Sequence, residues 1–191
     1  MNVTHTNRPP AAEQVRAPGG GAPDRRWLGI YLNDHLAGAT AGLALCRRAE
    51  RVHRGDPLGP DLRRLALEIA EDRRSLLDAI RRLGLPVRRH KAAAGWLGEK
   101  AGRLKPNGRL LRRSPLSDVL ELEALGVGIH GKAMLWRTLL RLDGGRPAPS
   151  GPAPLDHGRL ERLAERAARQ AGEVDALRSA VALEVLGPPR S

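Results

Sequence analysis

Apolar residues recur at intervals of three, four and seven positions in four stretches of the chain. In the second stretch, Leu62, Ile69, Leu76 and Leu83 follow one another at intervals of seven. A seven-residue repeat places its members on one face of an α-helix, and that face must pack against other helices. No part of the sequence alternates apolar and polar residues as a β-strand does. The chain is therefore predicted to be all-α.

The periodic stretches predict four long helices, over residues 27–54, 61–84, 115–142 and 156–186. The short first connection makes an antiparallel pair, and the second connection is long enough to return along a bundle. One long crossover in this place is typical of ferritin-like bundles. The predicted organisation is a disordered tail over 1–26, a four-helix bundle over 27–186 with a basic crossover at 85–114 and a Pro/Gly linker at 143–155, and a C-terminal tail over 187–191.

Three stretches of the sequence carry a resemblance to known proteins. Residues Tyr31–Leu43, Glu68–Arg73 and Gly102–Leu116 resemble a group of uncharacterised actinobacterial proteins of the ferritin-like, stress-associated bundle class. The resemblance covers residues 27–186. It implies the bundle fold and an ancestry linked to iron or manganese binding, without an assigned activity.

Ferritin-like metal sites use inward-facing Glu residues and Glu-x-x-His pairs. The sequence contains a single Glu-x-x-His, Glu50 to His53, where such a site needs two, so the resemblance carries no ligand set over to this chain. Its own polar residues on the predicted apolar faces define one candidate site for iron or manganese. The four candidate ligands, each a carboxylate or an imidazole, are His35, Asp72, Glu123 and His130. Counting levels along antiparallel helices spreads them over several layers, too far apart for bonds of about 2 Å to one ion.

The preferred interpretation of these polar residues is structural. Buried charges are retained when they are paired, and an Arg between carboxylates fixes the register of packed helices. We therefore predict a buried network of four residues without a functional di-metal centre and with no cofactor: Asp72, Arg73, Glu123 and Gln170.

Positive charge is concentrated in one part of the chain. The net charge is +12, yet residues 81–113 alone hold eleven Lys or Arg against one acid, Glu99. The alternative interpretation is that this segment binds an acidic protein or the phosphates of nucleic acid, whose charge attracts such clusters. The candidate anion-binding residues are Arg88, Arg89, Lys91, Arg103, Lys105, Arg109, Arg112 and Arg113. The preferred interpretation is a solvated surface strip whose arginines pair with helix acids such as Glu68, Glu71 and Glu121.

The remaining sequence features limit the function classes. No Gly-rich phosphate loop, nucleophile elbow or Cys/His dyad is present, which argues against an enzyme. The single cysteine, Cys46, excludes an intrachain disulfide. No apolar run approaches the roughly 20 residues of a membrane span, and no secretory h-region opens the chain. The sequence thus predicts a cytoplasmic protein and leaves homo-oligomerisation open.

Overall fold

The computed structural model describes residues 24–88, 114–143 and 155–188. They form four helices without a strand: α1 (Arg25–Val52), α2 (Gly59–Arg82), α3 (Leu116–Asp143) and α4 (His157–Leu186). The predicted all-α class and the number of long helices are confirmed. In these three ranges no helix combines the length and the apolarity that crossing a bilayer requires.

Local capping interactions determine where the helices begin and end. The Asp24 side chain accepts a hydrogen bond from the Arg26 backbone N–H, so α1 begins two residues before the predicted start. Asp156 caps α4 in the same way. After α2, Gly84 adopts a left-handed conformation with φ of 61°. The Leu85 N–H then bonds the Ile80 carbonyl and the Gly84 N–H bonds that of Arg81, which is a Schellman ending.

Side-chain contacts establish the helix directions. Near the start of α1, Tyr31 lies beside Thr138 of α3, and near its end Arg48 bonds Glu121. Helices α1 and α3 are therefore antiparallel, as are α1 and α2 across their short loop. By the same reasoning α4 is antiparallel to both α2 and α3, through pairs such as Arg64–Glu173 and Asp143–His157. Helices α2 and α3 consequently run in the same direction.

The apolar core consists of two clusters, one towards each end of the bundle. The first includes Cys46, Leu62, Ile69 and Ile129, at the end where α1 is joined to α2. The second surrounds the fully buried Trp136 at the opposite end. The predicted α2 repeat is confirmed at Leu62, Ile69 and Leu76, which are buried, whereas Leu83 is only half-buried. Between the two clusters, the middle of the bundle is polar.

Candidate functional site

The polar middle layer is built around Asp72, whose side chain is 1% exposed. Its Oδ2 accepts a hydrogen bond from the Lys132 ammonium at 2.5 Å, and its Oδ1 accepts one from the Arg166 guanidinium at 2.5 Å. The three residues come from α2, α3 and α4. One buried carboxylate therefore joins three helices between the two apolar clusters.

Gln170, which is fully buried, extends this layer. Its Oε1 accepts a hydrogen bond from Lys132, and its Nε2 donates to Glu68 at 2.7 Å. Burial lowers the pKa of Lys132, and the neighbouring Asp72 carboxylate opposes that shift. The network pairs each buried charge with an opposite charge or an amide, as burial in a low-dielectric interior requires.

The composition of this network differs from the prediction in two members. Asp72 and Gln170 belong to it, but Arg73 donates through Nε to the Thr40 hydroxyl at 3.0 Å. Residues adjacent in a helix point about 100° apart, so Arg73 cannot turn to Asp72. Glu123 is exposed on the outer face of α3. It follows the buried Leu122 and is rotated out of the core by the same helical step.

The cations that contact Asp72, Lys132 and Arg166, are not among the predicted members of the network. A signal for the first exists, because Lys132 is the single Lys or Arg between residues 115 and 136. A solitary cation in an apolar helix indicates a buried partner. Arg166 stands one turn before Gln170 on α4, but nothing in the sequence distinguishes it from the many other arginines.

The candidate metal ligands do not come together. His35 is half-buried and stacks edge-on against Tyr31, with ring centroids 4.6 Å apart, and burial lowers its pKa against the effect of Asp34. His130 is exposed, with Nδ1 2.9 Å from the Gly126 carbonyl oxygen. Within the described ranges, no three His, Cys, Asp or Glu side chains form a group able to hold a metal ion.

The residues of the middle layer do not fit a di-metal centre of the ferritin-like type. Both oxygens of Asp72 are engaged by cationic groups, the Lys132 ammonium and the Arg166 guanidinium. A dication bound to the same carboxylate would lie beside these two positive charges, and their repulsion would oppose it.

Of the candidate anion-binding residues, Arg88 is the only member within the described ranges. Its side chain is exposed, and its backbone N–H donates to the Asn33 Oδ1 at 2.7 Å. The buried Asn33 also donates to the carbonyls of Gly29 and Pro86, so it fixes the chain after α2 onto α1. The other candidates, Arg89, Lys91, Arg103, Lys105, Arg109, Arg112 and Arg113, lie outside the described residues.

Three helix acids are predicted partners of the arginines in the basic segment. Each of them has an arginine partner within the bundle. Glu68 accepts from Arg169 at 3.3 Å, and Glu71 accepts from Arg166 at 2.8 Å. Glu121 accepts from Arg48 of α1 at 2.5 Å. Glu68 and Glu71 are therefore engaged by arginines of α4.

A second polar contact lies at the end of the bundle, where α1 is joined to α2. The His53 ring is 2.6 Å from Asp56 through Nδ1 and 3.0 Å from Asp118 through Nε2. Only the protonated imidazole donates from both nitrogens, so this geometry favours the imidazolium. Burial lowers the pKa of His53, but the two hydrogen-bonded carboxylates outweigh it, and the net shift is upward.

This contact predicts a loss of stability as the pH rises. A pKa raised by folding stabilises the protein fully below the unfolded value, about 6.5, and the contribution disappears as the pH passes through the folded pKa. We expect the melting temperature to fall across this interval. His53→Gln should flatten the profile, whereas His130→Gln on the exposed face of α3 should leave it unchanged. Parallel profiles for the wild type and His53→Gln would contradict the assignment.

Comparisons of the chain with protein-family models, with curated proteins and with solved structures find no match.

Proposed function

We propose that this chain is a ferritin-like four-helix bundle without a di-metal centre, which holds its basic segment 85–114 for binding an acidic or phosphate-bearing partner. One observation carries the proposal. Two of the helix acids that could neutralise the segment, Glu68 and Glu71, are engaged by Arg169 and Arg166 of α4. This engagement of two helix acids within the bundle supports a partner outside the bundle for the charge of the segment.

The helix directions support the ferritin-like part of the proposal. Helix α2 ends beside the start of α1, where Arg25 donates to the Leu83 carbonyl at 2.9 Å. Helix α3 begins at the other end, where Asp118 meets His53. Two parallel helices joined by one long connection are the arrangement of a ferritin-like bundle.

The middle layer supports the metal-free part. In ferritin-like metalloproteins, carboxylates that face inward at mid-bundle bind cations. In this chain a mid-bundle carboxylate, Asp72, is neutralised by cations of the protein itself, Lys132 and Arg166. The bundle then has a stable centre without bound iron or manganese.

The binding part is tested with labelled polyanions, which share the required charge. We expect polyphosphate and duplex DNA to bind the full chain. The logarithm of the binding constant should fall linearly with the logarithm of the salt concentration. Replacing Arg109, Arg112 and Arg113 with Gln should reduce the magnitude of the DNA salt slope by about 2 to 3, because each phosphate contact contributes about 0.9. The matched control replaces three exposed arginines with Gln: Arg47 and Arg51 near the end of α1, and Arg54 in the loop that follows.

Two outcomes would contradict the binding proposal. The first is the absence of binding to polyphosphate, to DNA and to an acidic peptide at low salt. The second is an equal effect of the two triple variants, because this would show that net charge and not the segment governs binding.

The metal-free part has its own measurement. We expect elemental analysis of protein prepared without chelators, from cells supplied with iron and manganese, to find well below one metal ion per chain. One or more ions per chain would overturn this part, and Asp72→Asn would then establish whether the middle layer binds them.

A further inference from the structure

A cavity of about 320 Å³ opens at the end of the bundle where α1 begins and α2 ends. Its walls combine three arginines with an apolar floor. The lining residues are Arg25, Arg26, Gly29, Gly84, Leu85, Pro86 and Arg88. Pockets that bind small molecules begin at about 300 Å³ and are predominantly apolar with a few polar groups. This cleft is open to solvent on one side, lies at the lower end of that size range and has the same combination of apolar and polar groups.

Specific hydrogen bonds hold the walls in place. The Arg25 guanidinium donates to the Leu83 carbonyl at 2.9 Å and to that of Gly84 at 3.2 Å, which ties the start of α1 to the end of α2. On the opposite side, Asn33 holds Pro86 and the Arg88 N–H. These hydrogen bonds hold the backbone of the pocket walls in place.

The rim of the pocket is positively charged. In the part of the chain that the structure describes, no carboxylate forms an ion pair with Arg25, Arg26 or Arg88. The Asp24 carboxylate caps α1 by accepting from the Arg26 backbone N–H. The first turn of α1 carries no acidic residue, and its helix dipole adds partial positive charge.

The floor of the pocket is apolar. Leu85 is buried beneath it, and a Cβ added to Gly29 would lie 3.8 Å from the Leu85 side chain. Gly29 therefore leaves open the space that a larger side chain would occupy. A ligand that fills this space gains by burying apolar surface, and a charged head group is then within the arginine rim.

We propose that this pocket binds a small amphipathic anion, an organic carboxylate or phosphate ester with a short apolar body. The proposal does not depend on the binding of a polyanion by segment 85–114. Leu85, Pro86 and Arg88 are common to both, and only Arg88 of these is a candidate anion-binding residue. The rest of the pocket is built from the start of α1 and from Gly84, which follows α2.

Isothermal titration of the full chain with octanoate and octyl phosphate tests the proposal. We expect saturable binding of at least one of the two, with octan-1-ol and inorganic phosphate each binding at least about tenfold more weakly, because the first lacks the charge and the second lacks the apolar body. Arg26→Gln and Arg88→Gln should each weaken binding about tenfold, the loss of one charge-assisted hydrogen bond. Arg63→Gln, an exposed arginine at the opposite end of the bundle, is the matched control and should bind as the wild type does.

Gly29→Leu supplies a second variant, which should abolish octanoate binding by filling the floor while leaving Arg26 and Arg88 in place. The melting curve of Gly29→Leu is recorded alongside. If this variant fails to fold, the Arg26→Gln and Arg88→Gln variants decide whether the pocket binds the anion. Three results would overturn the proposal: no binding of either anion, equal affinities for octanoate and octan-1-ol, or equal affinities for octyl phosphate and inorganic phosphate. Loss of polyanion binding in the triple variant of Arg109, Arg112 and Arg113 with retained octanoate binding would separate the two sites.

Discussion

Asp72→Asn is expected to lower the free energy of unfolding by about 3 to 5 kcal/mol, the cost of leaving buried charges without their partner. The Asp72 side chain is 1% exposed and that of Lys132 is 12% exposed, so water cannot replace the lost carboxylate. Lys132 and Arg166 would then repel one another across a neutral amide. The melting temperature should fall by about 10 °C or more, measured by calorimetry and by chemical denaturation.

Two controls establish that the charge network and not the substitution itself causes this loss. Asp78→Asn removes an exposed carboxylate of the same helix, and we expect a change below about 1 kcal/mol, as is usual for surface ion pairs. The double variant Asp72→Leu with Lys132→Met removes a buried pair together. It should be less destabilised than the sum of its single variants. Additive effects, or an Asp72→Asn protein as stable as the wild type, would contradict the buried network.

Gly59→Ala is expected to destabilise the protein by about 2 to 3 kcal/mol. A Cβ at this position would overlap the carbonyl oxygen of His53, which belongs to the α1–α2 loop. Backbone cannot give way as a flexible side chain can, so either the loop or the start of α2 must shift. Such a shift would also disturb the contact of His53 with Asp118. Equilibrium unfolding in urea measures the loss.

The same substitution elsewhere serves as the control. Gly128 lies on the exposed face of α3, and no atom is within 4 Å of a Cβ built there. Ala is favoured over Gly inside a helix, so Gly128→Ala should raise stability by about 0.5 to 1 kcal/mol. If Gly59→Ala also raised the free energy of unfolding, helix propensity would outweigh the steric contact at Gly59.

The helical repeat made the fold class predictable from the sequence. The seven-residue spacing of Leu62, Ile69 and Leu76 can be satisfied by one helix face, and that face is buried as expected. The end of α2 was likewise predictable from residues next to it in the sequence. Gly84 ends α2 because glycine adopts a positive φ without a steric penalty.

The partners of the buried charges were not predictable in this way. Arg73 is next to Asp72 in the sequence, yet Lys132, sixty positions away, is the residue that contacts it. Which of many cations reaches a buried carboxylate depends on how four helices are rotated and shifted relative to one another. Glu123 shows the same limit, because one helical step decides between core and solvent.

The sequence by itself thus determined the four helices, their ends to within two residues, most of their apolar faces and the uneven distribution of charge. These properties depend on residues within a few turns of one another, where the spacing along the chain is also the spacing in space. The tertiary structure alone decided that Asp72, Lys132, Arg166 and Gln170 meet in one layer. It alone also brought Arg26 and Arg88 to one pocket. Contacts between distant helices depend on packing, and the sequence pattern of a single helix does not specify them.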